Sequence, residues 1–139
     1  MMRIVIMGSG RTGARLAQKL AGEGHRVSVV DWNEDAFERL GEEFDGDTVL
    51  GNAIDGDILR EAGIEQADVF VAATSGDNRN IMASEVARTV FHVPKVVCRV
   101  KDPNRARLFE ETGIKVDCRT TAGANAMLEV IGLPDRVTC

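Results

Sequence analysis

The stretch Ile4-Val5-Ile6-Met7-Gly8-Ser9-Gly10-Arg11-Thr12-Gly13 decides the fold of this chain. Its first four residues are continuously apolar, and its last six read GxGxxG. This order is typical of a first strand, a phosphate-binding turn and a first helix. Gly8 permits the tight turn, Gly10 lets a pyrophosphate approach the backbone, and Gly13 lets the helix pack closely on the strand. The helix start offers free N–H groups and a positive dipole end to phosphates.

An acidic residue follows at the spacing that such a motif requires. The second apolar run, Val27–Val30, ends at Asp31, which stands 18 residues after Gly13. A carboxylate there accepts hydrogen bonds from both ribose hydroxyls, which favours an unphosphorylated ribose over NADP. The next residue, Trp32, either packs on the adenine side or covers a loop. Arg11, at the mouth of the glycine turn, either contacts a phosphate or is a solvated cation.

The rest of the chain alternates apolar runs with helix-like segments. Further runs are Thr48–Leu50, Val69–Ala73, Val96–Val100 and Lys115–Val116. Apolar strands without alternation are covered on both faces, as in a parallel sheet between helix layers. The sequence therefore predicts an α/β, Rossmann-like, doubly wound parallel sheet of about six strands in a single domain, residues 1–139.

Composition narrows the functional classes. The 139 residues include 17 basic and 22 acidic side chains, a net charge of −5 that argues against a nucleic-acid binder. No apolar run reaches the roughly 20 residues of a membrane span, and the N-terminal run is too short for a signal peptide. The three cysteines, Cys98, Cys118 and Cys139, form no CxxC pair, so we expect no metal site or disulfide, and we expect Cys98 to be a buried thiol. A cytoplasmic protein is expected.

Catalytic residues are not evident. The chain has no tyrosine, and its two histidines, His25 and His92, lack a partner acid or nucleophile. We therefore expect no enzyme. Arg99 follows an apolar strand, where it needs either an anionic ligand or an internal carboxylate as its partner.

Two predicted helices have residues whose role the sequence leaves between two alternatives. Asp77, Asn78 and Asn80 open one helix, where they act either as caps or as ligand contacts. In the last helix, 120–131, the polar residues after the start are only Asn125 and Glu129. Such a helix is apolar over most of its circumference and needs burial on more than one side, either against another subunit or within its own domain.

Five further segments carry a resemblance to a known family: Val49–Ala53, Leu59–Ile64, Val71–Thr74, Asp102–Pro103 and Phe109–Gly113. With the glycine motif, they make nearly the whole chain resemble the N-terminal RCK domain (regulator of potassium conductance) of the Trk/Ktr type, also called the TrkA-N domain. The resemblance implies a regulatory subunit that binds NAD(H) or ATP/ADP and gates a potassium transporter or channel through changes in inter-subunit geometry. It also implies a homodimer or higher oligomer through the 120–131 helix, at the inner face of the cell membrane.

The resemblance also implies roles for particular residues. The glycine turn would hold the phosphates, Asp31 the ribose and Asn52 the edge of the adenine, whereas Glu110 matches a position that in some members helps to hold a divalent cation. The sequence departs from the family at Asn52, where Asp is frequent, and at Ile54, where Thr is frequent. The complete set of expected nucleotide contacts is Gly8, Ser9, Gly10, Arg11, Thr12, Gly13, Asp31, Trp32, Asn33, Asn52, Ala53, Ala73, Thr74, Arg99 and Glu110.

The sequence is also compatible with other forms and functions of the chain. The family's C-terminal RCK lobe is not present, so the chain is either a stand-alone subunit or one cut after the first lobe. The same motif also fits the cofactor-binding domain of an NAD-dependent oxidoreductase separated from its substrate domain. A third possibility is an assembly subunit that keeps the fold and binds no ligand.

Overall fold

One parallel sheet of six strands runs through the computed structural model, which describes residues 1–138. The strands are β1 (Arg3–Met7), β2 (Arg26–Asp31), β3 (Asp47–Leu50), β4 (Val69–Ala72), β5 (Lys95–Arg99) and β6 (Lys115–Asp117). Their order is β3-β2-β1-β4-β5-β6, and every neighbouring pair is parallel. The predicted Rossmann-like sheet is confirmed, including its short sixth strand. The third cysteine, Cys139, lies outside the described residues.

Within residues 1–138, five α-helices connect or follow the strands. They are α1 (Arg11–Gly22), α2 (Gly56–Glu61), α3 (Asp77–Thr89), α4 (Pro103–Glu110) and α5 (Arg119–Ile131), with shorter 3₁₀ segments at Glu34–Leu40 and Ile64–Gln66. The apolar face of α1 packs on the sheet, where Ala17 is fully buried and Leu16 and Leu20 lie against the core.

The core has two parts, one on each face of the sheet. Along β1, Ile4 and Ile6 belong to one cluster, whereas Val5 and Met7 belong to the other. Side chains alternate between the faces of a strand, so a strand buried on both faces must be apolar at every position. The apolar runs in the sequence are continuous because both faces of the sheet are buried.

Cys98 is one of the fully buried residues, as predicted, and its thiol is free. Burial raises the pKa of the Cys98 thiol to about 11, so the thiol remains protonated at neutral pH. Within residues 1–138, no three histidine, cysteine or carboxylate side chains are grouped as a metal site would need. No helix in this part of the chain is long and apolar enough to cross a membrane.

The last helix, α5, is mostly exposed, and its half-buried residues are Thr121, Gly123, Ala124, Asn125 and Leu128. None of its residues is buried against the described part of the chain, and the side chains of Met127, Val130 and Ile131 are 69%, 89% and 67% exposed. The alternative in which this apolar helix is covered by its own domain is therefore wrong.

Candidate functional site

A cleft of about 490 Å³ opens at the carboxyl edge of the sheet, beside β1 and β4. The strand order reverses between these two strands, and in open α/β sheets ligands bind at this point. The glycine turn after β1 and Asp31 at the end of β2 line one side of the cleft. Ala73 and Thr74 after β4, and Arg99 at the end of β5, line the other.

The glycine turn is held by close backbone contacts. Gly8 has φ +108°, and a Cβ there would lie 3.0 Å from the carbonyl carbon of Ala73. A Cβ at Gly13 would lie 1.8 Å from the Gly8 carbonyl oxygen, so only glycine lets α1 approach the turn. A Cβ at Gly10 would meet nothing within 4 Å, because this residue faces the open cleft. Gly8 and Gly13 therefore shape the turn, and Gly10 leaves room for a ligand.

The start of α1 is free to bind an anion. Its N-cap residue, Gly10, has no side chain to accept a hydrogen bond, and its first turn contains no acidic residue. The N–H groups at the start of a helix have no partner within the helix and carry its positive dipole end. Arg11, exposed at the same place, adds a positive charge to this edge of the cleft.

Asp31 is fixed by backbone donors. One carboxylate oxygen accepts from the backbone N–H of Ser9 at 2.8 Å, and the other accepts from that of Asn33 at 2.9 Å. Ser9 is fully buried, and its hydroxyl donates to the carbonyl of Ala36 at 2.9 Å, so this hydroxyl does not face the cleft. Each carboxylate oxygen can accept a further hydrogen bond. Asp31 is thus held in a fixed orientation at the edge of the cleft, with acceptor capacity left on both oxygens.

Arginines dominate the charge of the cleft. Among the described residues that line it, the only acidic side chain is that of Asp31. The five basic side chains are those of Arg11, Arg39, Arg79, Arg99 and Arg119. In a chain of net charge −5, this concentration of positive charge makes the cleft a local attractor for a polyanion such as a di- or triphosphate.

Arg99 and Arg119 are close enough to affect one another. Burial lowers the pKa of the Arg99 guanidinium, and the like charge of Arg119 lowers it further, against the opposing effect of Asp117 and Asp77. Within the described part of the chain, the buried Nε of Arg99 has no hydrogen-bond partner. The guanidinium of Arg119 donates to the hydroxyl of Thr12 in the first turn of α1.

Trp32 lies in the cleft, where the guanidinium of Arg79 is 3.9 Å from its ring centroid. Trp32 follows β2, whereas Arg79 belongs to α3, which follows β4. The contact therefore spans the two sides of the cleft mouth. Although Trp32 is 59% exposed, it does not merely cover a loop.

The polar residues at the start of α3 do not cap that helix, whose N-cap is Gly76 without a side-chain hydrogen bond. Instead, the buried Asn80 donates to the carbonyls of Thr74 and Arg99 at 3.0 and 2.9 Å. Asp77 accepts from the backbone N–H groups of Lys101 and Asp102 at 2.8 and 3.2 Å. The expectation of caps is wrong for these two residues, which join the loops after β4 and β5 and so fix the arginine side of the cleft.

Most of the expected nucleotide contacts come together in this cleft. Gly13 lies beneath the turn, and Glu110 is exposed at the end of α4 and does not line the cleft, so its link to a cation stays a prediction. Sequence reasoning missed several lining residues, of which four directly adjoin a predicted contact and four reach the cleft from helical segments without a local motif. These are Met7, Val30, Ala36, Arg39, Gly51, Ser75, Arg79 and Arg119.

The sheet order, the glycine turn, the oriented Asp31 and the cationic cleft define a nucleotide-binding domain of the Rossmann class. The TrkA-N domain model matches residues 4–118, and the chain belongs to this family. The family that the resemblance indicated is thereby confirmed.

Named relatives agree with this assignment. The Trk system potassium uptake protein TrkA of Streptomyces coelicolor is 48% identical over 127 residues, which cover 91% of this chain and 57% of the relative. The homologue from Methanothermobacter thermautotrophicus is 38% identical over 81% of this chain and 52% of its own length. The chain thus spans little more than half the length of these relatives.

Solved structures show the same fold. The crystal structure of GsuK bound to ADP has a TM-score of 0.77 and 25% identity, over 94% of this chain and 34% of that one. The TrkA-N domain of the inner membrane protein ybaL from Escherichia coli has a TM-score of 0.83 at 22% identity, over 94% of this chain and 98% of that domain, and this likeness concerns the fold alone.

Proposed function

We propose that this domain binds an adenine nucleotide, NAD(H) or ATP/ADP, as a regulatory ligand that controls a potassium transporter or channel. The cleft carries this proposal, because it joins an oriented ribose acceptor to a helix N-terminus and five arginines. The acceptor suits the ribose hydroxyls, and the helix N-terminus and the arginines suit the phosphates. Relatives named as potassium uptake proteins, and an ADP-bound structure of the same fold, support the same ligand class and the same process.

A regulatory role fits the cleft better than a dehydrogenase role. Hydride transfer requires a proton donor or acceptor beside the nicotinamide, usually histidine, lysine or tyrosine. Of the described residues, those that line the cleft include none of these three types. His25 accepts a hydrogen bond from the backbone N–H of Met2 at 3.0 Å, on the side of the sheet away from the cleft.

Regulation requires that the nucleotide bind one arrangement of subunits better than another, since equal affinities shift no equilibrium. The exposed apolar face of α5 is the surface through which copies of the chain would pair, at the cytoplasmic face of the membrane. An apolar patch of this kind on a monomer is unusual unless a partner covers it.

Calorimetric titration of the purified domain with NADH, NAD, NADPH, ATP, ADP and AMP tests the ligand. We expect micromolar-range binding of at least one adenine nucleotide and clearly weaker binding of NADPH. If none of the nucleotides bound, an assembly subunit without a ligand would replace this proposal. Consumption of NADH in the presence of small carbonyl compounds would instead favour the oxidoreductase alternative.

Light scattering after size-exclusion chromatography tests the pairing surface. Val130→Glu places a charge on the apolar face of α5, where the side chain is 89% exposed, so we expect the oligomer to dissociate while the fold is retained. Leu108→Glu is the matched control, because Leu108 is 66% exposed on α4. Equal masses for wild type and both variants would remove α5 from the interface.

A further inference from the structure

We propose that Arg99 and Arg119 form a phosphate clamp through which the bound nucleotide sets the position of α5. This inference rests on the proposed function, which it extends by naming the residue that links ligand and helix. Arg119 was not among the residues expected from the sequence, and it is the first residue of α5. It reaches back over 107 positions of chain to hydrogen-bond Thr12, beside the glycine turn.

Arg99 belongs to a strand that is held firmly in the sheet, whereas Arg119 belongs to a helix that is held loosely. Arg99 ends β5, and its carbonyl accepts a hydrogen bond from the buried Asn80 at 2.9 Å. Arg119 begins a helix that buries none of its residues. The hydrogen bonds of Asn125 tie the middle of α5 to Val137, in the segment after the helix and not in the sheet. A force on Arg119 therefore moves α5 more readily than a force on Arg99 moves β5.

Without a ligand, the clamp holds two neighbouring positive charges. Neither guanidinium makes an ion pair within the described residues, and the buried Nε of Arg99 has no hydrogen-bond partner. A phosphate between them accepts hydrogen bonds from both guanidinium groups and removes the repulsion. Guanidinium groups suit this task, because they donate two parallel hydrogen bonds to adjacent phosphate oxygens.

The hydrogen bond from Arg119 to Thr12 places the clamp at the phosphate end of the cleft. Thr12 is the second residue of α1, whose free N–H groups face the same region. A phosphate at this helix start competes with the Thr12 hydroxyl for the Arg119 guanidinium. When Arg119 turns from Thr12 to the phosphate, the bound ligand replaces Thr12 as the contact that restrains the first turn of α5, to which Arg119 belongs.

Titration with ADP tests the clamp. We expect Arg119→Ala to weaken ADP binding about tenfold or more, since a hydrogen bond to a charged group is lost, and Arg119→Lys to recover part of this loss. Arg107→Ala is the matched control: this exposed arginine of α4 lies outside the cleft, and its variant should bind ADP like wild type. Because Arg119 is exposed, its removal should leave the fold intact, which circular dichroism verifies.

Hydrogen–deuterium exchange of residues 119–131 then tests the coupling to α5. We expect ADP to slow exchange in α5 of the wild type but not in Arg119→Ala at saturating ADP. Unchanged ADP affinity in Arg119→Ala would overturn the clamp and leave the proposed function standing. Weaker binding with undiminished protection of α5 would overturn the coupling. A wild type that binds no ADP, NADH or ATP would overturn the proposed function and the clamp together.

Discussion

The two sides of the cleft differ in whether their polar groups already have hydrogen-bond partners. On the β1–β2 side, Asp31 and Ser9 already make their hydrogen bonds to backbone groups, so the geometry is complete before a ligand arrives. On the β4–β5–β6 side, Arg99 keeps an unpartnered buried Nε beside a second positive charge. A buried donor without a partner costs about 1–3 kcal/mol, so this side is not fully satisfied before an anion binds.

This difference separates recognition from response. A rigid, satisfied side binds a ribose without rearrangement, and therefore contributes affinity and selectivity. The arginines of the unsatisfied side gain new partners when an anion binds. This side therefore differs between the free and the bound domain, and regulation requires such a difference. Substitutions on the first side should alter which nucleotides the domain binds, whereas substitutions on the second should alter both the affinity for phosphate groups and the response of α5 to binding.

The largest effect is expected at the tightest contact on the β1–β2 side. Gly13→Ala puts a Cβ within 1.8 Å of the Gly8 carbonyl oxygen, which forces the turn and α1 apart. Overpacking of this kind destabilises by about 1–3 kcal/mol, so we expect a clear fall in Tm and loss of nucleotide binding. Thermal unfolding followed by circular dichroism, and titration with ADP, measure both.

Gly10→Ala is the matched control, because its Cβ would meet nothing within 4 Å. Its φ of −80° also suits alanine, so stability should fall by at most about 1 kcal/mol while affinity for ADP decreases. A stable, ADP-binding Gly13→Ala protein would show that the turn is less rigid than this contact requires.

Asp31→Asn is expected to have the next largest effect. Loss of the charged acceptor should weaken NADH binding about 10- to 100-fold, as one or two hydrogen bonds to a charged group would. NADPH should lose less, because the carboxylate no longer repels its 2′-phosphate. Asp35→Asn, on the neighbouring 3₁₀ segment and outside the cleft, is the control. An unchanged ratio of NADH to NADPH affinity would remove Asp31 from the ribose site.

The same division explains how much the sequence could predict. The sheet and its β1–β2 side follow from local patterns: continuous apolar runs, a glycine motif, and Asp31 at a set spacing. The arginine side does not, because Arg79 and Arg119 come from two different helices and meet the cleft only in the folded chain. Asn80 looked like a helix cap because its sequence position suits one, but tertiary contacts to the loops after β4 and β5 decide its role.

Arg11→Ala probes the edge of the glycine turn with a smaller expected effect. Because Arg11 is exposed, its contact with a phosphate is partly screened by water, and we expect losses of about fivefold at most. The loss should be larger for ATP than for ADP or NADH, so that discrimination between nucleotides changes more than overall affinity. Parallel titrations with the three ligands check this, and equal losses for all three would contradict it.

The smallest effect on affinity, but the clearest spectroscopic one, is expected where the two sides meet. Trp32 is the single tryptophan of the chain, so its fluorescence reports directly on its contact with Arg79. Arg79→Ala removes a cation–π interaction worth about 0.5–1 kcal/mol at an exposed site, which changes affinity by only a few fold. The ring loses its cover, so its emission should shift to longer wavelength in the absence of nucleotide.

A ligand that enters between the two sides must disturb this contact. We therefore expect ADP to change the emission of the wild type, and to change that of Arg79→Ala much less. Arg105→Ala removes an arginine that contacts Asn78 outside the cleft, and its spectrum should match the wild type. Identical spectra of wild type and Arg79→Ala, with and without ADP, would show that the Trp32–Arg79 contact does not couple the two sides. Any coupling would then depend on Asn80 and its hydrogen bonds to the backbone carbonyls of Thr74 and Arg99.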